Sequence, residues 1–101
     1  MANTYNDPNI PIKVKTNQHF EISLESNPTT GYTWNAEFDT AMLEQLQPKK
    51  FLLRSTAIGG GSEELFKFNS KKIGETTILM NYGRMGENTP IKTQKFNVII
   101  S

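Results

Sequence analysis

Cysteine is missing from all 101 residues of this chain. That absence excludes a disulfide framework, a thiolate-held zinc and a thiol nucleophile, and it leaves the compartment open, because secreted proteins also fold without disulfides. Histidine occurs once, as His19, and one imidazole with scattered carboxylates supplies no metal-ligand set. No apolar run approaches the roughly 18 residues that a spanning helix needs. The opening residues Met1 to Pro8 carry no apolar stretch of the signal-peptide kind. A complete chain is therefore expected in the cytoplasm, and a chain that has lost a signal peptide in an endolysosomal or secreted setting. Charge of one sign is also lacking. Eleven basic residues face 10 acidic ones, a net charge of +1, so no long-range field draws the chain to nucleic acid or an anionic membrane. The pairs Lys49-Lys50 and Lys71-Lys72 read as solvated loop or strand ends. Asn27-Pro28-Thr29 fails as a glycosylation acceptor because of its proline.

What is present is alternation. Ile10, Ile12 and Val14 alternate with other residues, as do Phe20, Ile22 and Leu24, then Tyr32, Trp34, Ala36 and Phe38. Phe51 and Leu53, Phe66 and Phe68, Ile78, Met80 and Tyr82, and finally Phe96, Val98 and Ile100 continue the pattern. A period of two puts each set on one face of a strand, turned toward a shared core. The expected strands lie near 10–16, 19–25, 32–38, 49–55, 63–69, 76–82 and 92–100. Thr40 to Leu46 reads as a short helical stretch, with Asp39 or Thr40 as cap and Pro48 as stop. Residues 1–9 read as a loose tail before one domain over 10–101. The expected fold is all-β, an immunoglobulin-like antiparallel β-sandwich of about seven strands with one short helical turn. Trp34 is expected to fill its centre.

Successive strands joined by short links run in opposite directions, so every second connection emerges at the same end. That end collects residues 26–31, 55–62 and 83–91. The first connection, Asn27-Pro28-Thr29-Thr30-Gly31, is uncharged and stiff, with a fixed proline φ and β-branched threonines. The second holds Gly59-Gly60-Gly61 before Ser62, where a bare backbone can approach another surface closely. It matches neither phosphate-binding glycine motif. The third offers Arg84 and Met85, a planar donor head and a soft apolar contact. Tight turns, a flexible hairpin and a solvated loop explain the same residues without any function. An enzyme reading finds little support: Gly60-Gly61-Ser62 is followed by Glu63 and Glu64 and lacks the last glycine of a nucleophile elbow.

The string Asn27-Pro28-Thr29-Thr30-Gly31-Tyr32-Thr33-Trp34 resembles the signature of the chagasin-like inhibitors of cysteine proteases. The stretch from Gly59 to Phe68 and the pair Tyr82 and Arg84 are similar to that family too, and the likeness runs from about Ile10 to Ile100. The resemblance implies reversible, competitive inhibition of papain-like proteases without a cofactor, by a chain that is monomeric when free. By match, Thr29 and Thr30 would sit closest to the enzyme's Cys-His pair. Gly59, Gly60, Gly61 and Ser62 would make main-chain contacts beside the non-primed subsites, and Arg84 and Met85 would cover the primed side. Arg84-Met85-Gly86 stands where the family usually carries Arg-Pro-Trp. A buried Trp anchor is worth about 2 kcal/mol or more, so the third loop is expected to contribute less or to shift enzyme preference. The competing expectation is a non-inhibitory immunoglobulin-like binding or adhesion module.

Overall fold

Seven alternating apolar sets require two sheets that can close on each other. The computed structural model describes residues 3–26, 31–53, 62–84, 86 and 89–101. Among these run β1 (Asn3–Tyr5), β2 (Ile12–Val14), β3 (His19–Ser26), β4 (Tyr32–Glu37), β5 (Leu43–Gln45), β6 (Lys50–Leu53), β7 (Ser62–Ser70), β8 (Gly74–Arg84) and β9 (Lys92–Ile100). One sheet has the order β1-β3-β7-β5, with β6 also on β7; the other has the order β2-β9-β8-β4. The product is an immunoglobulin-like β-sandwich. Its core contains Ile12, Val14, Phe20, Ile22, Leu24, Trp34, Phe66, Phe68, Ile78, Met80, Phe96, Val98 and Ile100, in phase with the alternation. Phe68 stacks on Phe20 with centroids 5.6 Å apart and meets Phe38 edge-on at 5.2 Å. Each such side chain contributes roughly 1.5–3 kcal/mol by leaving water. Trp34, 2% exposed, fills the interior as expected.

The structure corrects the sequence reading in several places. The helix expected over Thr40 to Leu46 does not form. Asp39 caps a single turn, its Oδ1 accepting from the Ala41 N–H at 2.9 Å and its carbonyl from the N–H groups of Met42 and Leu43. Leu43 then enters β5 and pairs with Ser70. An isolated helix of two turns is marginal, whereas a fully buried Leu43 on a strand gains core contacts. β5 and β6 lie antiparallel to β7 and divide its length between Ser70–Phe68 and Leu65–Ser62. They act as one strand interrupted around Pro48, which has no N–H to give a ladder. The expected tail contains β1, parallel to β3, and β2 is parallel to β9, so two short pairings break the antiparallel rule. Ile10 is 55% exposed, because pairing with β9 starts only at Ile12, beyond Pro11. Lys49 is not a solvated chain end; its side chain is 22% exposed and ion-paired. The side chains of Phe51 and Leu53 lie outside what is described.

Candidate functional site

Strand register decides where the three connections start and finish. Ser26, the end of β3, pairs with Ser62, the start of β7, and Leu53, the end of β6, pairs with the same Ser62. Tyr32, the start of β4, pairs with Arg84, the end of β8, and Tyr82 pairs with Lys92, the start of β9. The stalks of all three connections therefore stand at one pole of the sandwich. The extra strand β5 does not disturb this parity, because it runs in the same direction as β6. Asn27, Pro28, Thr29, Thr30, Gly59, Gly60, Gly61 and Met85 lie outside the described residues. Gly31, Ser62 and Arg84, at the margins of the three connections, are described.

These margins are braced by side chains. Arg84 is exposed and lies over the Tyr32 ring at 4.9 Å. Tyr32 stacks on Tyr82 at 5.6 Å, Tyr82 packs on Trp34 at 4.8 Å, and the Lys92 ammonium stands 5.9 Å over Trp34. This row of cations and rings couples the exit of the first connection to both ends of the third. Gly31 has φ 82, a left-handed conformation that suits glycine, and a Cβ there would approach Arg84 Nε at 3.9 Å. Ser62 is 5% exposed, and its hydroxyl donates to the Ser26 carbonyl at 3.2 Å. That bond ties the entry of the first connection to the exit of the second.

A buried carboxylate completes the bracing. Glu64 is 0% exposed, and its two oxygens accept from the Trp34 backbone N–H at 3.1 and 3.2 Å. Lys49 Nζ stands 2.8 Å from Glu64 Oε1 and donates to the Trp34 carbonyl at 2.6 Å. The Trp34 indole N–H donates to the Glu25 carbonyl at 2.9 Å. Glu64 stands outside the alternation of apolar residues because it is charged. The phase of Phe66 and Phe68, continued backwards by two, puts position 64 on the inner face and Ser62 after it.

Among the described residues, the candidate catalytic pair does not come together. His19 and Ser62 sit at opposite ends of the β3–β7 ladder, since His19 pairs with Asn69 and Ser62 with Ser26. Among the described residues, no group of three His, Asp or Glu side chains is placed to hold a metal. Stiffly mounted connections at one pole suit recognition of a surface instead.

Comparison with known proteins turns this geometry into a family. The model of the chagasin family peptidase inhibitor I42 matches residues 13–100. The chain belongs to the chagasin family of peptidase inhibitors. Amoebiasin-2 of Entamoeba histolytica is 31% identical over 101 residues, covering 96% of this chain and 82% of that protein. The crystal structure of the cysteine protease inhibitor EhICP2 from Entamoeba histolytica superposes with a TM-score of 0.78 at 27% identity, covering 99% of this chain and 87% of the other. PbICP-C, solved in complex with falcipain-2, shares the fold with a TM-score of 0.62 at 17% identity, over 99% of this chain and 91% of that one. This chagasin-family chain is thus an inhibitor of cysteine proteases and not an enzyme.

Proposed function

We propose that this chagasin-family protein inhibits papain-like proteases reversibly and competitively, by laying its loop-bearing pole over the active-site cleft. Thr29 and Thr30, flanked by Asn27, Pro28 and Gly31, fill the space of a scissile peptide. Gly59, Gly60, Gly61 and Ser62 give main-chain contacts on the non-primed side, and Arg84 and Met85 meet the primed side. The observation that carries this reading is the register that gathers the stalks of all three connections at one pole. The Thr29-Thr30 tip brings no acid, base or nucleophile, so the mechanism is occlusion. Bracing of the stalks supports it, because a surface ordered before docking loses little entropy on binding. The complex formed by PbICP-C with falcipain-2 is consistent with a papain-like target.

A pair of charge substitutions tests the docking pole. Thr29→Glu is expected to raise the inhibition constant against papain by roughly thirtyfold or more, the equivalent of losing about 2 kcal/mol at a binding hot spot. Lys71→Glu, beyond the far end of β7, is expected to leave it within about twofold, as remote surface changes do. Equal effects would reject the assignment.

A further inference from the structure

Among the described residues β4 is the last strand of its sheet, and one of its edges carries no described strand neighbour. The Trp34 N–H and C=O bond to Glu64 and Lys49 on the opposite sheet's side. A carboxylate thus takes the place of a neighbouring strand's carbonyl, and an ammonium the place of its N–H. The two charges also neutralise each other at 2.8 Å. Burying such a pair is costly and seldom adds stability over an apolar replacement, so stability alone is a poor reason for Glu64 at this point.

Its position offers a better one. Glu64 lies two residues past the start of β7, which follows the second connection, and Lys49 immediately precedes β6, which leads into it. Trp34 lies two residues past the start of β4, which follows the first connection. We infer that the Glu64–Lys49 pair is a positioning device for inhibition, a cross-sheet tether to the Trp34 backbone that fixes the first and second connections relative to each other. This rests on the reading that both connections enter the protease cleft. Neither residue needs to touch the enzyme. Release of the tether lowers the fraction of molecules whose two connections match the groove, and apparent affinity falls by that fraction.

The test separates positioning from stability. Glu64→Gln keeps the shape but turns an amide toward Lys49, and Glu64→Leu with Lys49→Met removes both charges so that no buried ion is stranded. Each is compared with Val98→Ala, a core truncation toward the far pole, for papain inhibition, thermal midpoint and amide exchange at Thr29 and Thr30. If the competent fraction falls to a tenth, the inhibition constant rises about tenfold in both tether variants. Exchange at Thr29 and Thr30 quickens in both, and the Trp34 amide proton loses its downfield, carboxylate-bonded shift in each. The doubly apolar protein strands no ion but takes these partners from the Trp34 N–H and C=O, so it is expected to recover part of the thermal stability lost in Glu64→Gln and none of the inhibition, and Val98→Ala to lose stability while inhibiting as the parent does. Recovery of inhibition together with stability in the double variant would overturn the inference. So would inhibition by Glu64→Gln that matches Val98→Ala at equal folded fraction, a comparison that decides the matter if the double variant does not fold. Thr29→Glu is measured alongside: if it has no effect the cleft reading itself fails, whereas if it weakens inhibition while the tether variants do not, only the tether is rejected.

Discussion

The two poles of the sandwich are built differently. At the pole away from the three connections the chain closes on itself through backbone. Asn17, at φ 62, donates its N–H to the Ser70 carbonyl, and the Ser70 N–H donates to the Gln18 carbonyl. Thr16 and Ser101 are tied in the same way, the Thr16 N–H to the Ser101 carbonyl and the Ser101 N–H to the Val14 carbonyl, and the Lys71 N–H reaches the Met42 carbonyl. The Ser70 hydroxyl, fully buried, donates to the Lys15 carbonyl. At the loop-bearing pole a backbone bond from the Ile91 N–H to the Tyr82 carbonyl at 2.8 Å is joined by side-chain braces: the Glu64–Lys49 pair, the Ser62 hydroxyl, and the row from Arg84 through Tyr32, Tyr82 and Trp34 to Lys92. The short turns at the far pole are held by backbone together with the Ser70 hydroxyl and the Gln18 side chain, whose Oε1 accepts from the Lys15 N–H at 2.8 Å. Around the longer connections, side chains add to the strand ladders in fixing the described points from which they leave. The difference is one between a pole that maintains the fold and a pole that presents a surface.

Substitutions can break or sharpen that contrast. The largest effect is expected from Phe68→Ala, which empties a site between Phe20 and Phe38 near the far pole. Urea unfolding should show a loss of about 3–5 kcal/mol, while the fraction still folded inhibits papain as before. Asp39→Ala removes the cap of the turn before β5, and its cost of about 1 kcal/mol should appear in the thermal midpoint and not in the inhibition constant. Gly86→Trp brings a large aromatic to the third connection at a position where φ is 88. A left-handed non-glycine residue costs about 1–2 kcal/mol, so the change is expected to lower stability and to give no gain in inhibition. Tighter inhibition by that variant would show that the backbone there readjusts freely. The smallest effect is expected from Arg84→Ala, which removes a cation–ring contact of about 0.5–1 kcal/mol. It should weaken inhibition severalfold and leave urea stability almost unchanged; the reverse outcome would erase the distinction between the poles.

The alternation of apolar residues made the sandwich legible, because every core residue on β3, β4, β8 and β9 obeys the period of two. The parity of connections made the shared pole legible as well. Three kinds of feature were not. β1 and β5 are three residues each, too short to show a period, and they exist through pairing with β3 and β7. The turn after Asp39 carries a valid helix start, but its continuation was decided by Leu43, which packs into the core from a strand. Glu64 is a charge at an inner position, tolerated only because Lys49 and the Trp34 backbone meet it there. No local propensity encodes such a partnership, and only the phase of Phe66 and Phe68 points to it.

The central claim is that the loop-bearing pole occupies the substrate cleft of a papain-like protease. Steady-state hydrolysis of a fluorogenic peptide by papain, at graded concentrations of this protein, tests it most directly. The account predicts that apparent KM rises in proportion to inhibitor concentration with kcat constant, and that full activity returns on dilution. No inhibition at micromolar protein, or a fall in kcat at unchanged KM, would contradict it.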